Sequence, residues 1–314
     1  MRLTAHPPIF RGNWAALLLP LNADDSIDYG LLSASLDHLA GAGVDGVYSN
    51  GSAGEFYAQT ETEFDRIHEI LAEKSRRLAL PFQIGATHMS AQTALERLRR
   101  TRHHRPAGFQ VILPDWFPPT RDEIFRFLEK MTAAADPVPL VVYNPPHAKV
   151  KLAPADWLAI CEHFPGVAGI KVPGGDVAWY EAMKPVFKRL SVFIPGHTLA
   201  TGLGLGAHGA YSNVACLSPG GAQAWYQLCQ TDPAAGLRLE VKIQRLIFGH
   251  VAPLITERGL ANMAADKALA VAGGWLPGLS PRLRWPYAFA DDADVTRIAR
   301  IAREMVPELF DGQH

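Results

Sequence analysis

Apolar residues along the chain follow two spacings that take turns. Short unbroken runs such as Ala15-Ala16-Leu17-Leu18-Leu19 and Gly46-Val47-Tyr48 suit the buried strands of a parallel sheet. Between them lie stretches with apolar residues three and four apart. Leu31, Leu32, Leu36, Leu39 and Ala40 mark a helix over 28–42, and Phe64, Ile67 and Leu71 mark the next. Gly41-Ala42-Gly43 is a stop signal for the first, and Thr60 with Glu63 a capping box that starts the second. The same pairing recurs, with strands over 82–85, 108–113, 139–143, 167–171, 191–194 and 209–212. The matching helices begin at Ser90 and cover 120–135, 154–163, 176–188, 199–205 and 219–230. Such a succession of strand–helix pairs is the period of a (β/α)8 TIM barrel. An open doubly wound sheet would carry a nucleotide fingerprint near its start, and none is written there.

From about residue 235 the alternation stops. Helical spacing continues over 237–250, 262–272 and 292–306, with a Pro/Gly-rich stretch over 273–286. The predicted organisation is a barrel over 1–234 that carries the active site and a C-terminal helical extension over 235–314. The segment 275–287, rich in Trp and Pro, is expected to offer contact surface.

Composition narrows the function classes. Hydrophobic residues make up 48% of 314 positions and charged ones 19%, enough apolar material for a large core. Net charge is −1, and the one basic cluster, 97–105, reads as the solvated end of a helix, so nucleic acid is not an expected partner. Cys161, Cys216 and Cys229 form no CxxC pair and read as free thiols of a reducing compartment. The run 15–19 is too short for a signal core or membrane span, so a soluble cytoplasmic protein is expected. No metal site is expected: the histidines lack HxH or HExxH spacing, and Asp24-Asp25 and Asp291-Asp292 look like turn and cap residues.

Barrel enzymes build their sites from the loops after the strands. On that rim the sequence places Ser52 with Gly51 to Gly54, Trp116, Tyr143, Lys171, and Gly196-His197. Lys171 ends the apolar run Val167-Ala168-Gly169-Ile170. Burial disfavours the ammonium, and a neutral amine attacks a ketone to form a Schiff base. A tyrosine in reach would shuttle the protons that carbinolamine formation and collapse require. Glycine-flanked backbone N–H groups with the Ser52 hydroxyl would hold a carboxylate.

Gly51-Ser52-Ala53-Gly54-Glu55, Tyr143-Asn144-Pro145-Pro146 and Gly169-Ile170-Lys171 with Gly174-Gly175-Asp176 resemble the dihydrodipicolinate synthase/N-acetylneuraminate lyase family. The resemblance runs from about Phe10 to beyond Pro286. It implies a barrel with a helical extension, a lysine imine with pyruvate or another 2-oxo acid, no separate cofactor, and a homotetramer or homodimer. Carried over by position, Lys171 is the Schiff-base lysine, Tyr143 the proton relay and Ser52 the hydroxyl linking carboxylate to tyrosine. Gly51, Ala53, His147, Gly196 and His197 are the implied substrate-binding positions.

The departures bear on substrate. Ala53 replaces a second hydroxyl residue, leaving only its backbone N–H. Ala148 stands where synthases carry an arginine for the second substrate's carboxylate, and Lys149 next to it would be a point charge at best. Trp116 stands nearest to their relay tyrosine and cannot relay protons. Pro173 and Thr198-Leu199 replace the threonine and acidic pair of sialate lyases. His147, His197 and His88 supply imidazoles as candidate general bases. The expected function is a Schiff-base lyase of a 2-oxo acid: an aldolase that releases or adds pyruvate, or a deoxy-sugar-acid dehydratase. Dihydrodipicolinate synthase proper and a catalytically silent 2-oxo-acid-binding homologue are the alternatives.

Overall fold

A computed structural model describes residues 10–310. Eight parallel strands close on themselves: β1 (Gly12–Ala16), β2 (Gly46–Tyr48), β3 (Phe82–Gly85), β4 (Gly108–Ile112), β5 (Leu140–Tyr143), β6 (Val167–Lys171), β7 (Ser191–Pro195) and β8 (Gly209–Tyr211). Each pairs with the next in sequence, and β8 returns to β1 with Trp14 beside Tyr211. Helices α1 (Tyr29–Gly41), α2 (Glu61–Leu78), α3 (Ala91–Thr101), α4 (Arg121–Ala135), α5 (Pro154–His163), α6 (Val177–Phe187) and α7 (Leu199–Gly204) follow the first seven strands. The turn α8 (Val214–Leu217) and α9 (Pro219–Thr231) follow β8. Asp28, Thr60, Ser90, Thr120 and Asp176 each accept a backbone N–H at a helix start, which fixes where the strand-end loops finish.

The expected barrel is the observed one, but β1 begins earlier than the apolar run 15–19. Asn13 hides the start: it is a buried polar residue whose Nδ2 donates to Gln223 Oε1 at 3.2 Å. Leu18 and Leu19 lie in the loop yet are equally buried, so hydrophobicity could not mark where pairing stops.

The basic stretch 97–105 does end α3 with Arg99, Arg102, His103 and Arg105 exposed, but not all of it is solvated as expected. Arg97 is fully buried between α2 and α3, with its guanidinium 4.5 Å over the Phe64 ring and 2.7 Å from Glu61. It also donates to the Thr87 carbonyl at 2.6 Å. A planar, multiply bonded cation tolerates burial where an unpaired one would not.

The extension comprises α10 (Pro233–Leu246), a π-helical turn (Ile247–Val251), α11 (Pro253–Thr256), α12 (Asn262–Gly273) and α13 (Asp292–Met305). One hydrophobic cluster joins these helices to the barrel. Helix α12 packs on α8 and on the turn Ser52–Gly54, bringing it to the C-terminal mouth of the barrel. Within 275–287, Leu276, Leu279 and Leu283 are buried and Trp275 donates to the Cys216 carbonyl, so only part of the segment, including Trp285, is surface. No described helix is long and apolar enough to cross a membrane.

Candidate active site at the mouth of the barrel

Register puts Tyr143 and Lys171, the last residues of β5 and β6, side by side, with Phe193 of β7 next to Lys171. The Lys171 amine sits in an aromatic box, with Nζ 4.2 Å from the centre of the Tyr143 ring, 4.7 Å from Tyr48 and 5.2 Å from Tyr211. Ring faces attract a cation, but they cannot replace its hydration shell. Desolvation therefore wins and lowers the amine from 10.5 to about 8, against a smaller opposing pull from the Asp266 carboxylate. A shift of that size raises the neutral fraction at pH 7 roughly 300-fold.

Tyr143 is pushed up to about 12 by burial, and a hydrogen bond with Ser52 works against this. Its phenol keeps its proton at neutral pH, so it can both donate and accept a hydrogen bond but is not a phenolate. Ser52 opens the tight turn Ser52–Gly54. As the first two residues of that turn, Ser52 and Ala53 have N–H groups with no acceptor inside it.

The turn is held at both ends by residues in the left-handed region, Asn50 at φ 50° and Glu55 at φ 53°. Asn50 and Gln59 exchange side-chain amide bonds of 3.0 and 3.1 Å, and Gln59 also caps the Gly54 carbonyl at 2.8 Å. Glu55 is fully buried against Lys267 of α12 at 2.7 Å, and its second oxygen accepts from the Arg284 N–H at 2.9 Å. Beneath the loop, His68 donates from Nδ1 to the Phe64 carbonyl and accepts the Ser49 hydroxyl at Nε2, 2.7 Å away. Burial lowers His68 to about 3, so this support stays neutral. Gly51 has no room for a side chain, because a Cβ there would come within 2.9 Å of the Tyr48 ring.

The other candidates divide. His147 is exposed on the loop after β5 and shares with Tyr143 a small cavity of about 30 Å³, also lined by Asp115 and Ala148. His197 is tied down instead. Its ring stacks edge-on to Phe248 at 5.4 Å and its Nδ1 faces the Asn213 side chain at 3.0 Å. Burial lowers it, the Asn213 bond opposing. Gly196 serves packing, since a Cβ would overlap Ser212 and Asn213. Lys149 turns away from the amine: its N–H binds Asp115 at 2.9 Å and its ammonium the Trp116 carbonyl at 2.5 Å. Trp116 itself is 73% exposed. His88 accepts the Ser90 N–H at 3.0 Å and acts as a turn residue. Among the described residues no cluster of three metal-ligating side chains occurs.

Sequence reasoning missed Asp266. This carboxylate of α12 lies near enough to Lys171, Tyr143, Tyr48 and Cys216 to perturb all four. Asn262, one turn earlier, points its Nδ2 at Asp266 Oδ2 from 3.5 Å. Burial raises Asp266 from 3.8 to about 6, the Lys171 charge opposing. The available signal was an acid–base pair, Asp266-Lys267, inside an otherwise alanine-rich helix. Between pH 3.8 and about 6 the folded chain binds more protons at this site than the unfolded one, so stability falls as pH rises through that window. Asp266→Asn is expected to raise the melting temperature above pH 6 and to flatten that slope, as thermal melts across pH would show.

A sequence model of the Dihydrodipicolinate synthetase family matches residues 9–258. The N-acetylneuraminate lyase of Salmonella paratyphi B is 25% identical over 304 residues, covering 95% of this chain and 98% of the relative. That of Rhizobium meliloti is 28% identical over 204 residues, covering 63% and 66%. Among solved structures, YagE, a prophage protein of the dihydrodipicolinic acid synthase family from E. coli K12 in complex with pyruvate, has a TM-score of 0.82. Its identity is 21%, over 95% of this chain and 99% of that one, a likeness of fold.

Proposed function

The chain belongs to the dihydrodipicolinate synthetase family, and on that premise we propose that it is a lyase that holds a 2-oxo acid as an imine of Lys171. One observation carries the reading: a strand-end amine, lowered to about 8 in an aromatic box, beside a protonated tyrosine that is hydrogen-bonded to Ser52 of the tight turn Ser52–Gly54. The amine lone pair adds to the C2 ketone. The Tyr143–Ser52 pair passes a proton to the carbinolamine oxygen, water leaves, and a protonated imine remains. That imine accepts the electron pair released when the C3–C4 bond breaks in aldol cleavage. In dehydration it acidifies C3 so that a C4 hydroxyl departs as water. Asp266, raised by burial to about 6 against the opposing pull of the Lys171 charge, is largely ionised at neutral pH and stands as counter-charge and proton acceptor at the mouth.

No cofactor beyond the lysine is required on this reading. With Lys149 committed to the loop after β4 and Ala148 uncharged, neither of these two positions offers a cation to a second carboxylate as a dihydrodipicolinate synthase would need. The aldehyde half is therefore expected to be a neutral polyol, read by the exposed loop of His147. The exposed Trp116 and Phe117 supply apolar surface for a homodimer or homotetramer.

Borohydride reduction in the presence of pyruvate, followed by peptide mass analysis, tests the reading. Mass gain on Lys171 is expected, with a yield that rises with pH through the lysine pKa near 8. Asp266→Asn removes the anion that favours the ammonium, so its profile moves to lower pH. No adduct across a panel of 2-oxo acids would leave a silent barrel as the better reading.

A further inference from the structure

The inside of a barrel of this kind is ordinarily filled by layers of branched apolar side chains. Below the Lys171 amine this one carries Tyr48, Gln83, Gln110 and Tyr211, from β2, β3, β4 and β8, all buried. Tyr211 is the hub. Its ring packs on Tyr48 and Phe193, both at 4.7 Å, and its hydroxyl donates to Gln83 Oε1 at 2.5 Å. Both tyrosine rings also flank Lys171 Nζ, so a single phenol ring separates the amine from the amides. The Gln110 amide lies near the same hydroxyl and against the start of the Ser52–Gly54 turn: its Oε1 is 3.5 Å from where a Cβ on Gly51 would stand.

Nε2 of Gln83 and Nε2 of Gln110 have no hydrogen-bond acceptor among the described residues, although both residues are buried to within 1%. Buried amide donors rarely go without a partner, because the lost hydration is not recovered. Exchanging O and N at either amide moves the orphan atom but leaves an unmatched amide end in the same place. The sites ask for a group that only accepts, and a carboxylate offers acceptors on two oxygens. The loop above is short of one donor, since Ala53 has no hydroxyl.

We propose that Gln110 is a substrate-binding side chain, whose amide donates to the carboxylate of the 2-oxo acid beneath Gly51 to Gly54 and so replaces the hydroxyl missing at Ala53. The assignment rests on the 2-oxo-acid reading above for the identity of the anion. A neutral donor suits the place. It holds an anion close to Lys171 without contributing a carboxylate that would lock the amine as an ammonium.

The test compares full-length wild type with Gln110→Leu, Gln110→Met and Ala53→Thr/Gln110→Leu. The readout is the concentration of pyruvate, and of the uncharged ketone pyruvamide, that half-saturates borohydride trapping on Lys171. Losing one charge-assisted bond should raise the pyruvate value about tenfold or more. The pyruvamide value should stay within about twofold, and Ala53→Thr should recover most of the loss by restoring a hydroxyl donor. Gln110→Leu and Gln110→Met should melt no lower than wild type, since they remove an unmatched polar group.

Equal shifts for both ketones would mark a packing defect and overturn the assignment, as would unchanged pyruvate half-saturation in a folded variant. The two readings fail separately. If wild type is never trapped but calorimetry finds pyruvate binding that Gln110→Leu weakens, the imine reading falls and the carboxylate subsite stands. If calorimetry finds no pyruvate binding that depends on Gln110, the subsite falls.

Discussion

Lys171→Met is expected to abolish imine-dependent turnover, a loss on the order of 10⁴-fold or more in kcat, while leaving a fold that melts higher than wild type at neutral pH. Both halves come from the same burial. An amine in an aromatic box is a good nucleophile because its ammonium is poorly solvated, and that deficit is a cost to the native state. The sign can be checked by titration. The folded-state value near 8 lies below the 10.5 of the unfolded chain, so between these values the folded chain binds fewer protons. Stability of the wild type should therefore rise as pH climbs from about 8 to 10.5, and the slope should vanish in Lys171→Met. Activity with 2-oxo-3-deoxy acids, followed by pyruvate release, measures the first half. Undiminished turnover in the variant would remove the lysine from the mechanism.

Lys267→Met carries the largest expected effect on stability. Lys267 and Glu55 are both fully buried and 2.7 Å apart, and they are distant in sequence. Removing the cation leaves the Glu55 carboxylate without water and, among the described residues, with the Arg284 backbone N–H as its remaining hydrogen-bond donor, a cost of about 3–5 kcal/mol. Glu55 also ends the turn that carries Ser52, in a left-handed conformation that the surrounding contacts must hold. If the loop binds the carboxylate and Lys171 performs the chemistry, as proposed, loosening it should raise KM for the 2-oxo acid more than it lowers kcat. Glu55→Gln/Lys267→Met, which removes both charges, should recover much of the stability and little of the affinity. Denaturant titration and steady-state kinetics of the three variants separate the two effects. Equal stability of Lys267→Met and wild type would mean that the pair is not a structural lock.

How much of this was readable beforehand depended on the range of the interaction. Capping at Thr60 and Ser90 and the alternation of runs with amphipathic stretches are local, and the expected elements match the observed ones closely. The rim positions of Ser52, Tyr143 and Lys171 follow from strand order alone, because every strand of such a barrel points its C-terminal end the same way. His197 and Arg97 show the limit. An imidazole in a rim loop looks the same in sequence whether it faces substrate or is stacked on Phe248 of the extension. An arginine in a basic run gives no local sign that it will be buried over Phe64.

What the sequence by itself determined is the barrel, its period and the rim on which a lysine, a tyrosine and a serine meet. Those features arise from contacts along the backbone and between neighbouring strands, and their spacing is written in the chain. What only the tertiary structure decided is the electrostatic character of that rim. Asp266 reaches Lys171 from α12, Lys267 locks the Ser52 turn through Glu55, and Gln83, Gln110 and Tyr211 converge from three strands under the amine. Charge and hydrogen-bond energies depend on distance and burial in space. Residues remote in sequence acquire both only when the barrel closes and the extension packs across its mouth.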